Sequence, residues 1–462
     1  MTPNNHRFTP KKVVIIGGGL AGLTTAYRLQ QSGMEVEVYE AKSRVGGRVL
    51  TALINDNIIE LGAQNISDGG EAKNILELIH LFKLEVIEKK VPFNFNFFLN
   101  GKLTSKNELL EKRGFTPEWL GEILPKIAAE SNNMREVLLH LFDEQDPLFQ
   151  IMSVRLAGFE GAHVEHLSPT FASTLYRLLL GQQAASIDPS DQYKLITTIK
   201  DGNSRLPLKL AEALHGKIHF QMPVTAIAKT PTHSYELTFK NGTKKTVDIL
   251  VLAIPSSVYE DISFGKEVIP KQTLTLIQNI QYGSNSKIVA PFSGNIQFIN
   301  DRMFAFSHDN TLTYYYTGKA SYFNQKTIHE IYETDRKQIE QAFGLPPISH
   351  EVPQMAKDEH FIKYTTPIAY SWSSDPYAKG SYSTVGPGQE LLYNSIQEAL
   401  GEKVKALFVP IDNRLFFAGE HTSTLLSIPG TMEAACESGE RTARMINNLK
   451  ISSESSQSRA IS

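Results

Sequence analysis

An α/β fold is predicted, with a parallel sheet in one part of the chain and, in another, an antiparallel sheet with inserted helices. Three observations carry this. An apolar β-branched run, Val13 to Ile16, leads into a glycine turn and then into a stretch of helical period. Residues from about 105 to 195 show the apolar spacing of helices, as in Leu120, Ile123, Leu124 and Ile127. From about 275 to 388 the pattern alternates and is rich in aromatic residues, as in Ile288 to Phe292 and Tyr314 to Tyr316, which is the pattern of an antiparallel sheet.

The first stretch reads KKVVIIGGGLAGLTTAYRLQQSGMEVEVYEAKSRVGGRV. After the strand and turn, a helix is expected over Leu20 to Gln31 and a second strand over Glu35 to Tyr39, ending on Glu40. Strand, tight turn, helix, strand and acid is the order of a dinucleotide site, and predicts a Rossmann-like domain. Gly17 allows the tight turn, Gly19 lets backbone approach a pyrophosphate, and Gly22 lets the helix pack closely on the strand. Leu20 and Ala21 open the helix, whose N-terminus presents free N–H groups and a positive dipole end. Glu40 is placed to accept hydrogen bonds from ribose hydroxyls, with Ala41 beside it in the same site. The motif alone does not choose NAD over FAD.

At 462 residues, two or more domains are expected. The composition, 41% apolar and 21% charged, is that of a soluble globular protein. A formal charge of −3 argues against nucleic acid as the main partner. The lone cysteine, Cys436, permits no intramolecular disulfide and fits a reducing, cytoplasmic setting. The first ten residues show no apolar core of a secretory signal, and no run long enough to span a membrane occurs. The polar tail 451–462 is expected to be disordered. No H-x-E, H-E-x-x-H or CxxC spacing suggests a metal. Phe93, Phe95, Phe97 and Phe98 alternate almost as a strand and read as cavity lining or core.

Just past the acid, Arg44, Gly46, Gly47 and Arg48 form R-x-GGR. This resembles the second signature of the large FAD family that holds amine oxidases, L-amino-acid oxidases, polyamine oxidases and phytoene-desaturase-like enzymes. The resemblance implies FAD as cofactor, with Arg48 near its phosphates, and it extends in islands over nearly the whole chain. Ile59 to Asn65, IELGAQN, resembles the segment whose backbone passes under the flavin ring, which implicates Gly62, Ala63, Gln64 and Asn65. Asp201 to Leu206 resembles the family's GGN helix start, and Val224 matches the valine that touches the adenine through its backbone. Asp248 to Pro255 reads as a buried parallel strand. In the last island a strand over Leu415 to Ala418 leads to Gly419 and Glu420. Gly430, Thr431 and Met432 then open a helix. The resemblance places Glu420 at the ribityl or phosphate region and that helix start at the pyrimidine end of the flavin. His421 reads as structural.

The implied layout is a discontinuous FAD-binding domain from residues 11–75, 197–274 and 389–450, with a substrate-binding domain from 76–196 and 275–388. Lys287 starts a strand after the turn YGSNS and matches a family lysine that holds a water against flavin N5. Trp372 and Tyr382, in WSSDPYAKGSY, resemble a family segment in which the residue matching Tyr382 is one wall of an aromatic cage for the amine. Lys287 and Tyr382 are therefore the candidate catalytic residues, and Tyr382, Trp372 and Thr431 the candidate substrate contacts. In monoamine oxidases the residue matching Ser381 is a cysteine bonded to the flavin. Serine cannot form that thioether, so non-covalent FAD is expected. Thr431 stands where those enzymes have their second cage tyrosine, a departure from the pattern.

The reaction implied is oxidation of a C–N bond of a small-molecule amine or amino acid. A hydride or its equivalent passes to flavin N5, the imine is hydrolysed, and O2 or another acceptor reoxidises the flavin. The alternatives are a C–C desaturase or protoporphyrinogen-oxidase-like enzyme, and a catalytically silent flavoprotein acting as a scaffold. Oligomeric state is not legible.

Overall fold

The computed structural model describes residues 12–66, 72–92, 96–99, 101–105, 108, 113–180, 193–344, 348–426 and 428–458. Lys12–Ile16 is the middle strand of a five-stranded parallel sheet. It pairs with Ile249–Leu252 on one side and Glu35–Tyr39 on the other, and Leu415–Phe417 and Ile218–His219 form the edges. The near-continuous apolar runs VVII, ILVL and LFF follow from burial on both faces. The two-residue period assigns each side chain to a face. Val13, Ile15, Val36, Val38, Ile249, Val251 and Phe416 turn toward the helices Leu20–Gln31 and Met432–Ser458. Val14, Ile16, Leu250, Leu252, Leu415 and Phe417 turn the other way, onto Tyr235, Leu237 and Phe239. Those three side chains come from a four-stranded sheet of Val224–Lys229, Tyr235–Phe239, Lys244–Val247 and Ser263–Phe264.

An eight-stranded, mainly antiparallel sheet supplies the other half of the molecule. It runs through Gln354–Met355, Ile368–Ser371, Ser286–Pro291, Thr311–Tyr316, Met303–His308, Gln297–Ile299, Asn96–Leu99 and Lys102–Ser105. Alternation again decides direction. Ile288 and Ala290 pack with Ile328, Tyr332 and Ile339 of the helix Ile328–Phe343. Val289 belongs instead to the core of Leu50, Leu61 and Trp372, and Lys287 shares its face. Four helices, Pro117–Glu130, Met134–Leu139, Pro147–Glu160 and Ala172–Leu180, share a separate core that reaches Ile299. The first three are capped by Thr116, Asn133 and Asp146, whose side chains accept from Trp119, Glu136 and Leu148 N–H groups. Among the described residues no helix is long and apolar enough to cross a membrane.

Three expectations change. The helical region ends early, because Tyr193–Ile199 is a strand paired antiparallel with Val86–Pro92 along its whole length. Its β-branched run ITTI suits that pairing. The expected boundary at 196/197 therefore falls inside a strand. The boundary at 75/76 falls inside the helix Lys73–Leu81, which packs with the parallel-sheet core through Ile75, Leu78 and Ile79. Glu433 fixes that helix by accepting from the N–H groups of Asn74 and Ile75. Local periodicity reveals an apolar face but not which core receives it. Third, the final helix continues to Ser458, through most of the tail expected to be disordered, where residues 451–458 contain no proline or glycine. Residues 459–462, Phe93 and Phe95 lie outside the described residues.

The first and last helices touch at Gly439. A Cβ there would sit 2.6 Å from the Ala21 carbonyl oxygen and 2.8 Å from Thr24 Cβ. Both neighbours belong to a packed helix and have no free rotamer to yield. Gly439→Val is expected to destabilise the protein by about 1–3 kcal/mol, the usual cost of overpacking, read as a lower midpoint in urea unfolding with an unchanged m-value.

Candidate functional site

Between the parallel and antiparallel sheets lies a cavity of about 740 Å³. Gly17, Gly19, Leu20, Ala21, Glu40, Ala41, Arg48 and Val224 line one part of it. Gly62, Ala63, Gln64, Asn65, Lys287, Trp372 and Tyr382 line another, and Glu420, Gly430, Thr431 and Met432 close it. Gly22 is the one predicted residue outside the lining. A Cβ on it would lie 2.1 Å from the Gly17 carbonyl oxygen and 3.1 Å from Ala253 Cβ, so its part is to let helix and strand approach.

Gly17 has φ +108°, and a Cβ there would lie 2.5 Å from the Ala253 carbonyl oxygen. Gly19 differs, since its φ is −76° and an added Cβ meets nothing nearer than Gly47 Cα at 3.9 Å. That opening belongs to the cavity. No side chain caps the helix that starts at Leu20, so its first-turn N–H groups remain available to an anion. Glu40 is fully buried at the end of its strand. Its Oε2 accepts from Gly18 N–H at 2.6 Å and its Oε1 from Lys42 N–H at 2.8 Å. Burial pushes this carboxyl up, and the two N–H bonds oppose the shift. Each oxygen keeps a second lone pair for a ligand hydroxyl.

Arg48 donates through Nη1 to Ser381 O at 2.9 Å and to Glu420 Oε1 at 3.0 Å. Burial pushes the Glu420 carboxyl up, but Arg48, His421 and the bonds from Ser383 outweigh it and hold it below the ordinary range. On the lining, Ser381 Oγ, Asn285 Oδ1 and both ring nitrogens of His421 are buried without a hydrogen-bond partner among the described residues. They give the cavity hydrogen-bonding capacity that a polar ligand would use.

Lys287 is 4% exposed, and its ammonium is saturated by protein. Nζ donates to Glu60 O at 2.7 Å, Gly62 O at 3.0 Å and Gln64 Oε1 at 3.1 Å. A water at this nitrogen would have to take one of those bonds, and Gln64 offers the only side-chain acceptor. Burial lowers the Lys287 pKa to about 8, against the pull of Glu60. Burial raises Glu60 to about 8, although Asn203 N–H, Thr51 Oγ1 and Lys287 favour its charged form.

Tyr382 is held on both sides. Its hydroxyl donates to Gly158 O or Phe159 O, each at 3.0 Å, and accepts from Asn285 Nδ2 at 2.7 Å. Its ring leaves no room for a Cβ on Gly161 (2.9 Å) or Gly430 (2.8 Å). Trp372 donates its indole N–H to Leu61 O at 2.9 Å and comes within 3.0 Å of the place a Gly62 Cβ would occupy. It therefore supports the segment beneath the cavity as well as lining it. Thr431 Oγ1 accepts from Ala434 N–H at 3.1 Å and donates to Ile428 O at 2.9 Å. This is the role of an N-cap, so its hydroxyl is engaged in starting the helix.

Lys42, Arg155 and Asn285 on the lining escape the sequence reading, while Phe304 and Tyr315 belong to the aromatic alternation from which the antiparallel sheet was expected. Arg155 left a signal, as the one basic residue in the apolar helix PLFQIMSVRLAGFE. Lys42 left none. It sits over Tyr370 and Trp372 and pairs with Asp375, contacts that link residues more than 300 apart in sequence.

The family model of the flavin-containing amine oxidoreductases matches residues 20–447. An L-amino-acid oxidase of Daboia russelii is 25% identical over 489 residues, covering 95% of this chain and 89% of that protein. A lysine-specific histone demethylase 1 homolog of Arabidopsis thaliana is 25% identical over 95% of this chain and 30% of its own length. Among solved structures, cyclohexylamine oxidase from Brevibacterium oxydans superposes with a TM-score of 0.72 at 19% identity, over 96% of this chain and all of that one. Wild-type putrescine oxidase bound to putrescine superposes with a TM-score of 0.70 at 17% identity, over 95% and 99% of the two chains. These structures have the same mixed α/β fold. With most of its length matched by the family model, the chain belongs to the flavin-containing amine oxidoreductases, enzymes that act on the CH–NH or CH–NH2 group of a donor.

Proposed function

We propose that this protein oxidises amines or amino acids with FAD held non-covalently in the cavity between the two sheets. The observation that carries the reading is one cavity lined at once by the glycine turn, Glu40, Lys287 and Tyr382. The residues present fit the cofactor. The uncapped helix at Leu20 suits the pyrophosphate, with Gly19 leaving space for it, and Arg48 adds a positive charge. Glu40 suits the adenosine ribose and Val224 the adenine. Gly62 to Asn65 suit the ring system, and Glu420 with the helix start at Met432 suits its polar edge. In this reading the dinucleotide-binding domain is discontinuous and the antiparallel sheet bears the substrate side. A cytoplasmic setting belongs to the same reading and rests on a single, buried cysteine.

When bound, the flavin accepts the hydride equivalent that leaves the carbon next to nitrogen, and O2 or another acceptor reoxidises it. The chain binds, orients and desolvates. The Tyr382 ring, immobilised by its hydroxyl bonds, presents a face that steers an amine without paying for its own ordering. Lys287 places a buried positive charge by the segment Glu60–Gln64, where negative charge arriving with the electrons is stabilised. Below pH about 8 that nitrogen is charged, and above it the charge is lost.

Acid or heat is expected to release FAD into the supernatant, because Ser381 cannot form a thioether. Flavin that stays with the denatured polypeptide, or release of FMN, would contradict this. Gly19→Ala separates the cofactor from the fold, because its Cβ has room in the protein and its φ suits alanine. The expected result is an apoprotein of unchanged melting temperature with FAD affinity lowered about tenfold or more, equivalent to about 1.4 kcal/mol. Lys287→Met should keep bound FAD and slow one half-reaction, most directly reoxidation. In the wild type that step should slow as pH rises through about 8, and the variant should lose this dependence. Stopped-flow traces of reduction and reoxidation, taken separately across pH, check both statements.

A further inference from the structure

Lys405 ends the strand Glu402–Lys405 and is 2% exposed. Lysine is almost never buried so fully unless it is paired. Here Nζ donates to His421 O at 3.0 Å and lies 3.4 Å from the centre of the Tyr393 ring. The carboxylates around it are engaged by other cations. Glu420 pairs with Arg48 at 3.0 Å, Glu437 with Arg441 at 2.9 Å and Glu402 with Arg444 at 2.7 Å. Lys405 is therefore the surplus cation of this group. Both of its contacts lead to Glu420. His421 is the next residue in the chain. Tyr393, in the helix Glu390–Asn394, bonds through its hydroxyl to Ser383 Oγ at 2.7 Å. Ser383 donates to Glu420 from Oγ at 2.6 Å and from N–H at 3.0 Å. Arg48, Glu420 and His421 line the cavity, and Lys405 stands directly behind them.

A cation beside Glu420 offsets part of its negative charge, so more of the Arg48 charge acts in the cavity. Burial limits the screening of this effect by salt. The same burial lowers the Lys405 pKa to about 7, where Arg441 adds to the shift and Glu420 and Glu437 oppose it. The remaining groups that face it keep one charge state near neutral pH. Burial lowers His421 to about 3 and raises Tyr393 well above its ordinary range, while Glu420 is held below its own. On the paired strand Ile396–Ala399 its register partner is the uncharged Ile396.

We infer that Lys405 is a positioning residue for the cofactor, whose buried charge holds Glu420 and frees Arg48 for the FAD diphosphate, so that FAD binding is coupled to protonation of this amine. This rests on the cavity being the FAD site proposed above. The negative charges of the diphosphate favour the ammonium over the amine, so binding raises the Lys405 pKa. Affinity is then full below pH about 7 and falls as pH rises above it. With Lys405 neutral, Arg48 and Glu420 cancel each other and the diphosphate loses that attraction.

The test uses the full-length protein freed of flavin by dialysis against potassium bromide. FAD binding to wild type, Lys405→Met and Lys405→Arg is followed by flavin fluorescence from about pH 6 to about pH 9. Calorimetry at about pH 8, in buffers of different ionisation enthalpy, counts the protons taken up. The wild-type Kd is expected to rise about tenfold across this range. Lys405→Met should bind about tenfold more weakly at the acid end and lose that rise. Lys405→Arg should keep its acid-end affinity throughout, since a guanidinium stays charged. Wild type should take up protons on binding FAD, and Lys405→Met fewer. A purely structural lysine would change melting temperature and Kd together and leave the pH dependence as it was. The inference is overturned if the wild-type Kd is constant across the range, or if either variant keeps the wild-type pH dependence. Should one variant fail to fold, the other decides by the same comparison. If wild type binds no FAD even at the acid end, the cofactor reading fails and this inference falls with it.

Discussion

The ammonium of Lys287 is the constraint on which the site depends. A buried charge is costly unless every proton finds an acceptor, and here all the acceptors come from one short segment, Glu60 to Gln64. That segment is held from every side. Leu61 N–H and Ala63 N–H donate to Leu50 O and Arg48 O, and Trp372 donates to Leu61 O. Asn203 donates its side-chain amide to Ala63 O and Gln64 O and its backbone N–H to the Glu60 carboxylate. Gly62 has no room for a side chain, since a Cβ would lie 2.0 Å from Arg48 O. The polar backbone between the sheets is thus paired, and one lysine ties the antiparallel sheet to the chain that follows the dinucleotide turn.

The electrostatics of the cavity follow from the same economy of partners. At one end Glu40 is balanced by two backbone N–H groups, with the charges of Arg44 and Lys42 nearby. In the middle Arg48 and Glu420 neutralise each other, with Ser383 completing the carboxylate. Lys42 and Asp375 form a buried pair beneath Trp372 and Tyr370. At the other end Arg155 lies between aromatic rings. The glycine turn faces the cavity with the uncapped N–H groups of the helix at Leu20, and Arg48 lines the same cavity.

Local order in the sequence was enough for the parallel sheet. Val13 to Ile16 pair with Val36 to Tyr39, Gly22 abuts Gly17 O, and Glu40 accepts from Gly18 N–H, all within about 30 residues, so spacing reveals them. The strand at Lys287 and the helix after Thr431 were legible for the same reason. The strand Tyr193–Ile199 was not, since its partner Val86–Pro92 lies about 100 residues earlier and its neighbours read as helix. Thr431 looked like a cavity wall from its place in a motif. It does line the cavity, and its hydroxyl also caps a helix, which only the position of Ala434 N–H makes visible.

The sequence by itself marked the glycine turn, four of the five strands of the parallel sheet and the glycines on which close approach depends, because these are consequences of backbone sterics and period. Tertiary structure alone decided which charges share the cavity. Lys287 needs Glu60, Gly62 and Gln64, more than 220 residues away, and Arg155 meets Phe304 across about 150 residues. A charged side chain carries no mark in the sequence of whether it will be desolvated. That depends on which elements fold over it, and the free energy of a buried charge is set by the partners they bring.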